Sequence, residues 1–189
     1  MPGAAQKVRL VILDRDGVIN KESREFVKSA DEWLPLDGSI DAIAALSKGG
    51  FRVAVASNQS GLARGLFDYS ALYAMHEKMR DLVAAAGGRI DHIVICPHGP
   101  DDQCDCRKPK PGLLLQVAEH FNARLEGVAF IGDSVRDLQA AVAAGARPIL
   151  VRSGNGAQAA AELPDELADT PVYDDLAAAA AALLAESPQ

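Results

Sequence analysis

Asp14 and Asp16 stand one residue apart at the end of the short apolar run Val11-Ile12-Leu13, with Arg15 between them and Gly17 after them. An aspartate is ionised at neutral pH without a base to activate it, so Asp14 can attack phosphorus directly and form an aspartyl-phosphate. Asp16 can then reach the leaving oxygen, giving it a proton in a first step and taking one from water in a second. Two neighbouring carboxylates repel an anionic ester, so this chemistry requires a divalent cation. The alternative for the same residues is an Asp-Gly turn that closes a strand. The other polar stretches decide between the two.

Ser57, Asn58, Gln59 and Ser60 follow the apolar run 51–56 and precede Gly61. Their hydroxyl and amide groups can hydrogen-bond phosphate oxygens, although such residues also cap turns for local reasons. Arg107-Lys108-Pro109-Lys110-Pro111 is a basic turn stiffened by proline. Fixed cations suit phosphate, Arg as a planar fork and Lys as a point charge, while Lys110 reads as a solvent-facing residue. Gly132-Asp133 closes the run 128–131, and Asp137 follows. Asp133 and Asp137 could hold Mg²⁺ in the oxygen shell it prefers, directly and through water respectively; Asp137 could instead serve the start of the next helix. Cys96, His98, Cys104 and Cys106 offer three thiolates and an imidazole. That is a complete tetrahedral set for a structural Zn²⁺, which would order a loop with little to bury. Otherwise Cys96 is a buried strand residue and the other two cysteines are incidental.

Positioning these groups requires strands that end where they begin. The apolar runs at 11–13, 51–56, 90–95, 128–131 and 148–152 are short and rich in β-branched residues, which predicts five strands. Apolar residues at helical spacing predict helices over 38–48, 69–86, 112–121, 138–144 and 173–185. Met75 and Met79 fall on the apolar face of the second and read as core; His76 reads as a surface or partly buried residue. The segment 21–37, with Trp33 and Pro35, is long for a connection and could border a site. Strands alternating with helices predict an α/β fold, a three-layer α/β/α sandwich with a parallel Rossmann-like sheet. The acids then share the carboxyl edge of the sheet, where such folds bind ligands.

A length of 189 residues suits one domain, 1–189, with a zinc loop at 96–106 and no large cap. A formal net charge of −7 argues against a nucleic-acid binder, which needs surplus positive charge. No apolar run approaches the ~20 residues that span a bilayer, and no leader pattern opens the chain, so no membrane association and a cytoplasmic location are expected. The clustered cysteines suit metal binding in a reducing compartment.

Asp14-Arg15-Asp16-Gly17, then Ser57-Asn58, then Lys108-Pro109, then Gly132-Asp133 with Asp137, resemble in order the four motifs of the haloacid dehalogenase-like phosphatases. The run 58–65 and the Cys-Pro-His and Cys-x-Cys-Arg-Lys-Pro signatures are similar to the branch acting on heptose 1,7-bisphosphates, with histidinol-phosphate phosphatases as near relatives. The resemblance implies Asp14 as nucleophile, Asp16 as acid and base, and Ser57 and Lys108 on the phosphoryl group. It implies Arg107 on the far end of the substrate, with Asn58, Gln59 and Ser60 beside it. It further implies Mg²⁺ on Asp14, the main-chain carbonyl of Asp16 and Asp133, with zinc on Cys96, His98, Cys104 and Cys106. Glu22, Ser23, Arg24 and Glu25 are expected substrate contacts. The expected partner is a small sugar phosphate, and the expected state a monomer. A zinc-stapled binding module without activity would keep the cysteines but has no use for both Asp14 and Asp16.

Overall fold

The computed structural model describes residues 9–186. Residues 1–8 and 187–189, including the first positions read above for a leader and the ends of the 1–189 domain, lie outside the described residues.

Six strands form one parallel sheet in the order β3-β2-β1-β4-β5-β6. They are β1 (Leu10–Leu13), β2 (Arg52–Asn58), β3 (His92–Cys96), β4 (Ala129–Gly132), β5 (Arg147–Val151) and β6 (Val172–Tyr173). Between β1 and β3 the chain builds outward in one direction, and from β4 in the other. The order reverses at β1 and β4, the position at which such sheets open a crevice at their carboxyl edge.

Side chains alternate across β1, and this alternation defines two cores. Val11 and Leu13 face one side with Val53, Val55 and Ile131, covered by α1 (Ser39–Lys48), α2 (Tyr69–Ala85) and the C-terminal α6 (Leu176–Ala185). Leu10 and Ile12 face the other with Ala54, Ala56 and Phe130, covered by α3 (Gly112–Phe121) and α4 (Val135–Ala144). A short α5 (Gly156–Ala161) follows β5. The result is the three-layer α/β/α sandwich expected from the alternation of strands and helices.

Three expectations need correction. The sheet has a sixth strand: Val172 and Tyr173 pair with Leu150 and Val151, so the last helix begins at Leu176 and not at 173. Asp175 caps that helix, its side chain accepting from the Ala178 N–H, and this fixes the start. α4 likewise starts earlier than 138, because Ser134 and Asp137 form a reciprocal capping box around its first turn. His76 is not a surface residue; it is buried beside Met75 and Met79 on the inner side of α2.

The segment 21–37 packs as ordered structure. Trp33 is fully buried in the first core, and Lys78 on α2 donates from Nζ to the carbonyls of Ala30 and Trp33. That clamp ties the segment to the helix beneath it.

Candidate active site

The carboxyl ends of β1, β2 and β4 meet at a cavity of about 310 Å³. Asp14 leaves β1 with its N–H bonded to the Ile131 carbonyl at 2.9 Å, which docks it beside the end of β4. Gly17 then takes φ +83°, and a Cβ there would sit 2.0 Å from the Asp133 carboxylate, so only glycine fits.

Lys108 lies at the centre of the acids. Its Nζ contacts Asp14 at 2.9 Å, Asp137 at 2.7 Å and the Ala56 carbonyl at 3.0 Å, and the side chain is 3% exposed. Asn58 holds the turn that delivers it, accepting from the Lys108 N–H at 3.1 Å and donating to the Lys108 carbonyl at 3.2 Å. The charge on Lys108 is reinforced: burial works against it, but Asp137 and Asp14 outweigh burial.

Asp14, Asp133 and Asp137 bring carboxylate oxygens within 4.8 Å of one another, all buried. Burial, then the neighbouring carboxylates, push Asp14 up to about 7 and Asp133 up to about 8. One lysine therefore leaves the cluster short of positive charge, and hard oxygen donors around that deficit fit Mg²⁺. Asp133 is steadied by the Asn155 N–H at 2.9 Å. Asp137 binds Lys108 with one oxygen and the Ser134 N–H and hydroxyl with the other, at 3.1 and 2.7 Å. Of the two roles open to Asp137, capping is thus visible directly, and the residue also lies beside Asp14 and Asp133.

The Asp16 carboxylate is outside this cluster. It accepts from Arg15 Nη2 at 2.9 and 3.1 Å, Arg15 Nε at 3.2 Å, Asn20 at 2.9 Å and Gln59 at 2.9 Å. Burial raises its pKa, but the Arg15 charge and these hydrogen bonds prevail and hold it below the ordinary aspartate value. Gln59 also donates to Ser57 Oγ at 2.8 Å, which leaves the Ser57 hydroxyl hydrogen free to donate into the cavity.

Of the residues read as substrate contacts, Glu22, Ser23, Arg24, Asn58, Gln59, Ser60 and Arg107 line the cavity, whereas Glu25 lies outside its lining. Arg107 reaches back to donate to the His98 carbonyl at 3.2 Å, so the cysteine loop positions it. Phe26, with φ +67°, holds a conformation that costs a bulky residue about 1–3 kcal/mol. Its ring lies under the Arg64 guanidinium, 5.5 Å from the centroid, and joins the 21–37 segment to the loop after β2.

Several lining residues escaped the reading of the sequence: Arg136, Ser134 and Asn155 from the far side of the sheet, and Phe26. Asn155 hydrogen-bonds Glu22 across the cavity mouth. The glycines at 154 and 156 were the available signal, because Cβ atoms there would strike Asp133 and the Val151 carbonyl.

Behind Arg107, Cys96, His98, Cys104 and Cys106 converge. Cys96 Sγ lies 3.1 Å from Cys106 Sγ and 3.7 Å from Cys104 Sγ, and His98 Nδ1 lies 3.2 Å from Cys106 Sγ. Sulfurs held tetrahedrally at a Zn–S distance of about 2.3 Å stand about 3.8 Å apart, so the cluster is already near ligand spacing. Burial, then the other thiols, push Cys106 up to about 12.

No described helix is long and apolar enough to cross a membrane. The HAD-hydrolase-like family model matches residues 105–179. The chain is 55% identical over 177 residues to a D-glycero-beta-D-manno-heptose-1,7-bisphosphate 7-phosphatase of Pseudomonas putida, covering 94% of this chain and all of the relative. It is 39% identical to the enzyme of that name from Escherichia coli, covering 79% of this chain and 82% of the relative. The crystal structure of D,D-heptose 1,7-bisphosphate phosphatase from Bordetella bronchiseptica, complexed with magnesium and phosphate, superposes with a TM-score of 0.91. Identity there is 52%, over 95% of this chain and all of that one. With fold, acid cluster and sequence in agreement, the chain belongs to the haloacid dehalogenase-like hydrolases, in the family of these heptose-bisphosphate phosphatases.

Proposed function

We propose that the chain is a Mg²⁺-dependent phosphomonoesterase that removes the C7 phosphate of D-glycero-β-D-manno-heptose 1,7-bisphosphate. The observation that carries this reading is the convergence of Asp14, Lys108 and Asp133 beneath one polar cavity, in a chain so similar to enzymes of that name. In this reading the enzyme works as a monomer in the cytoplasm and supplies heptose precursors for lipopolysaccharide.

Asp14 is the nucleophile. Its carboxylate forms a bond to phosphorus as the bond to the C7 oxygen breaks, with Lys108 and the Ser57 hydroxyl holding the phosphoryl oxygens. Asp16 gives its proton to the C7 oxygen; the bound phosphate dianion opposes the ionised form and favours uptake of that proton beforehand. Asp16 then takes a proton from the water that attacks the aspartyl-phosphate, releasing phosphate and restoring Asp14. Asp14, Asp133 and the main-chain carbonyl of Asp16 would hold Mg²⁺, with Asp137 reaching it through water, and the bound ion would supply the charge that lets two anions meet.

The second phosphate needs a fixed cation, and Arg107 at the rim is that group. Zinc on Cys96, His98, Cys104 and Cys106 would hold the loop that positions it. Removing zinc with a chelator should lower the melting temperature, since folding and binding of such a clip are linked. An unchanged melting temperature, with zinc shown to be gone, would remove the structural role.

For Arg107→Ala, kcat/KM for the bisphosphate should fall about 10–100-fold while that for a simple monophosphate changes little. An unchanged ratio between the two substrates would defeat both the Arg107 assignment and the bisphosphate reading that depends on it.

A further inference from the structure

Arg15 occupies the position between the two acids, yet the reaction as described leaves it without a task. It is 1% exposed, which makes it a fully buried guanidinium. Such a group is costly to bury unless each face of its fork finds a partner. The partners are unusually specific. Nε and Nη2 grip Asp16, Nη2 also reaches Gln59 Oε1 at 3.3 Å, and Nη1 points away to His76 Nε2 at 3.5 Å.

His76 therefore faces a cation with the nitrogen that must accept, which puts its proton on Nδ1. Burial, then Arg15 and Arg80, push its pKa down to about 3, so it stays a neutral acceptor. A charged imidazole there would repel Arg15. α2 thus reaches under the β1 turn and supports the guanidinium from behind, while the guanidinium supports the carboxylate in front.

We infer that Arg15 and His76 are positioning residues for proton transfer: His76 fixes the far arm of Arg15, and Arg15 fixes the plane of the Asp16 carboxylate against the leaving oxygen. The inference rests on the reading of Asp16 as acid and base. Three donors, Arg15, Asn20 and Gln59, occupy most of the lone pairs of Asp16, so the carboxylate can present only its remaining edge. Loss of one arm of this cage lets the carboxylate swing, and a misplacement near 1 Å costs about 100-fold in such a step.

The test exploits the leaving group. An alkoxide from a sugar phosphate needs a proton as it departs, whereas nitrophenolate departs without one. The measurement is kcat/KM with Mg²⁺ for heptose 1,7-bisphosphate and for p-nitrophenyl phosphate, in the parent and in Asp16→Asn, Arg15→Met, His76→Leu and His76→Gln. Asp16→Asn should lose about 10²–10⁴-fold on the sugar phosphate and far less on the nitrophenyl ester. Arg15→Met should show the same selective pattern with a loss of about 10–100-fold, and His76→Leu about tenfold. His76→Gln keeps an acceptor and should recover most of the His76→Leu loss.

A merely structural role would lower both substrates together. Equal losses, or none, in His76→Leu and Arg15→Met beside a selective Asp16→Asn would overturn the positioning role alone. If Arg15→Met fails to fold, His76→Leu and His76→Gln decide the matter. An Asp16→Asn variant without selectivity would instead remove Asp16 from proton transfer, and the positioning role with it.

Discussion

Asp14→Asn should lower turnover by about 10⁴-fold or more, because the amide cannot form the phosphoryl ester and no other group in the cavity stands in its place. The fold should survive the change. Asp14 is a buried carboxylate whose ionised form is opposed first by burial and then by Asp137, with Lys108 only partly offsetting them. Replacing it with a neutral residue of the same shape relieves that opposition, and Lys108 keeps its contact with Asp137 at 2.7 Å. The metal-free variant at neutral pH should therefore melt no lower than the metal-free parent. Turnover within tenfold of the parent would take Asp14 out of the nucleophile's place, and a large fall in melting temperature would contradict the account of the acid cluster.

Lys108→Ala should be the most damaging single change to the fold of the site. Its ammonium is the shared counter-ion of Asp14 and Asp137, and removing it leaves buried carboxylates facing one another. Breaking a buried pair in this way costs about 3–5 kcal/mol. For a domain of this size the melting temperature should fall by roughly 6–20 °C. Activity should fall by about 10²–10³-fold or more, since in the proposed mechanism the same charge holds the transferred phosphoryl group. Lys108→Met separates charge from packing: it keeps most of the stem and removes only the ammonium, which faces Asp14, Asp137 and the Phe130 ring, so a similar loss of stability assigns the effect to charge. A melting temperature within a degree or two of the parent in both variants would mean that the acids do not depend on Lys108.

The contrast between these two neighbours follows from what surrounds them, and so does the contrast between what the sequence disclosed and what it hid. Apolar runs that stop at Asp14, Ser57 and Asp133 announced both the strands and the polar cluster at their ends, because buried parallel strands are continuous in hydrophobicity and polar only where they emerge. The convergence of Cys96, His98, Cys104 and Cys106 was equally plain from their spacing in one short loop. β6 was hidden because Val172-Tyr173 is too short to carry a period and directly precedes an alanine-rich helix. The start of α4 was hidden by its cap, as Asp137 was weighed for the metal and for the helix start without Ser134, its partner in the capping box.

His76 failed for a different reason. Helical spacing placed it next to Met75, and a histidine on α2 has no pattern that distinguishes a solvated ring from one turned toward a buried arginine sixty-one positions earlier. Arg15 lay in full view between two acids, but its burial depends on Gln59 and His76, which arrive from other elements. Asn155 closes the cavity from beyond β5, and only the tertiary fold brings it to Asp133 and Glu22. Residues that act at the end of their own strand are legible in one dimension. Residues that act by reaching across the sheet are not.

The proposed substrate is tested most directly by phosphate release with Mg²⁺ from the β and α anomers of D-glycero-D-manno-heptose 1,7-bisphosphate and from histidinol phosphate, compared as kcat/KM. The β anomer should show a clear advantage, with one phosphate released per molecule and the C1 phosphate retained. A higher kcat/KM for histidinol phosphate, or release from C1, would contradict this assignment.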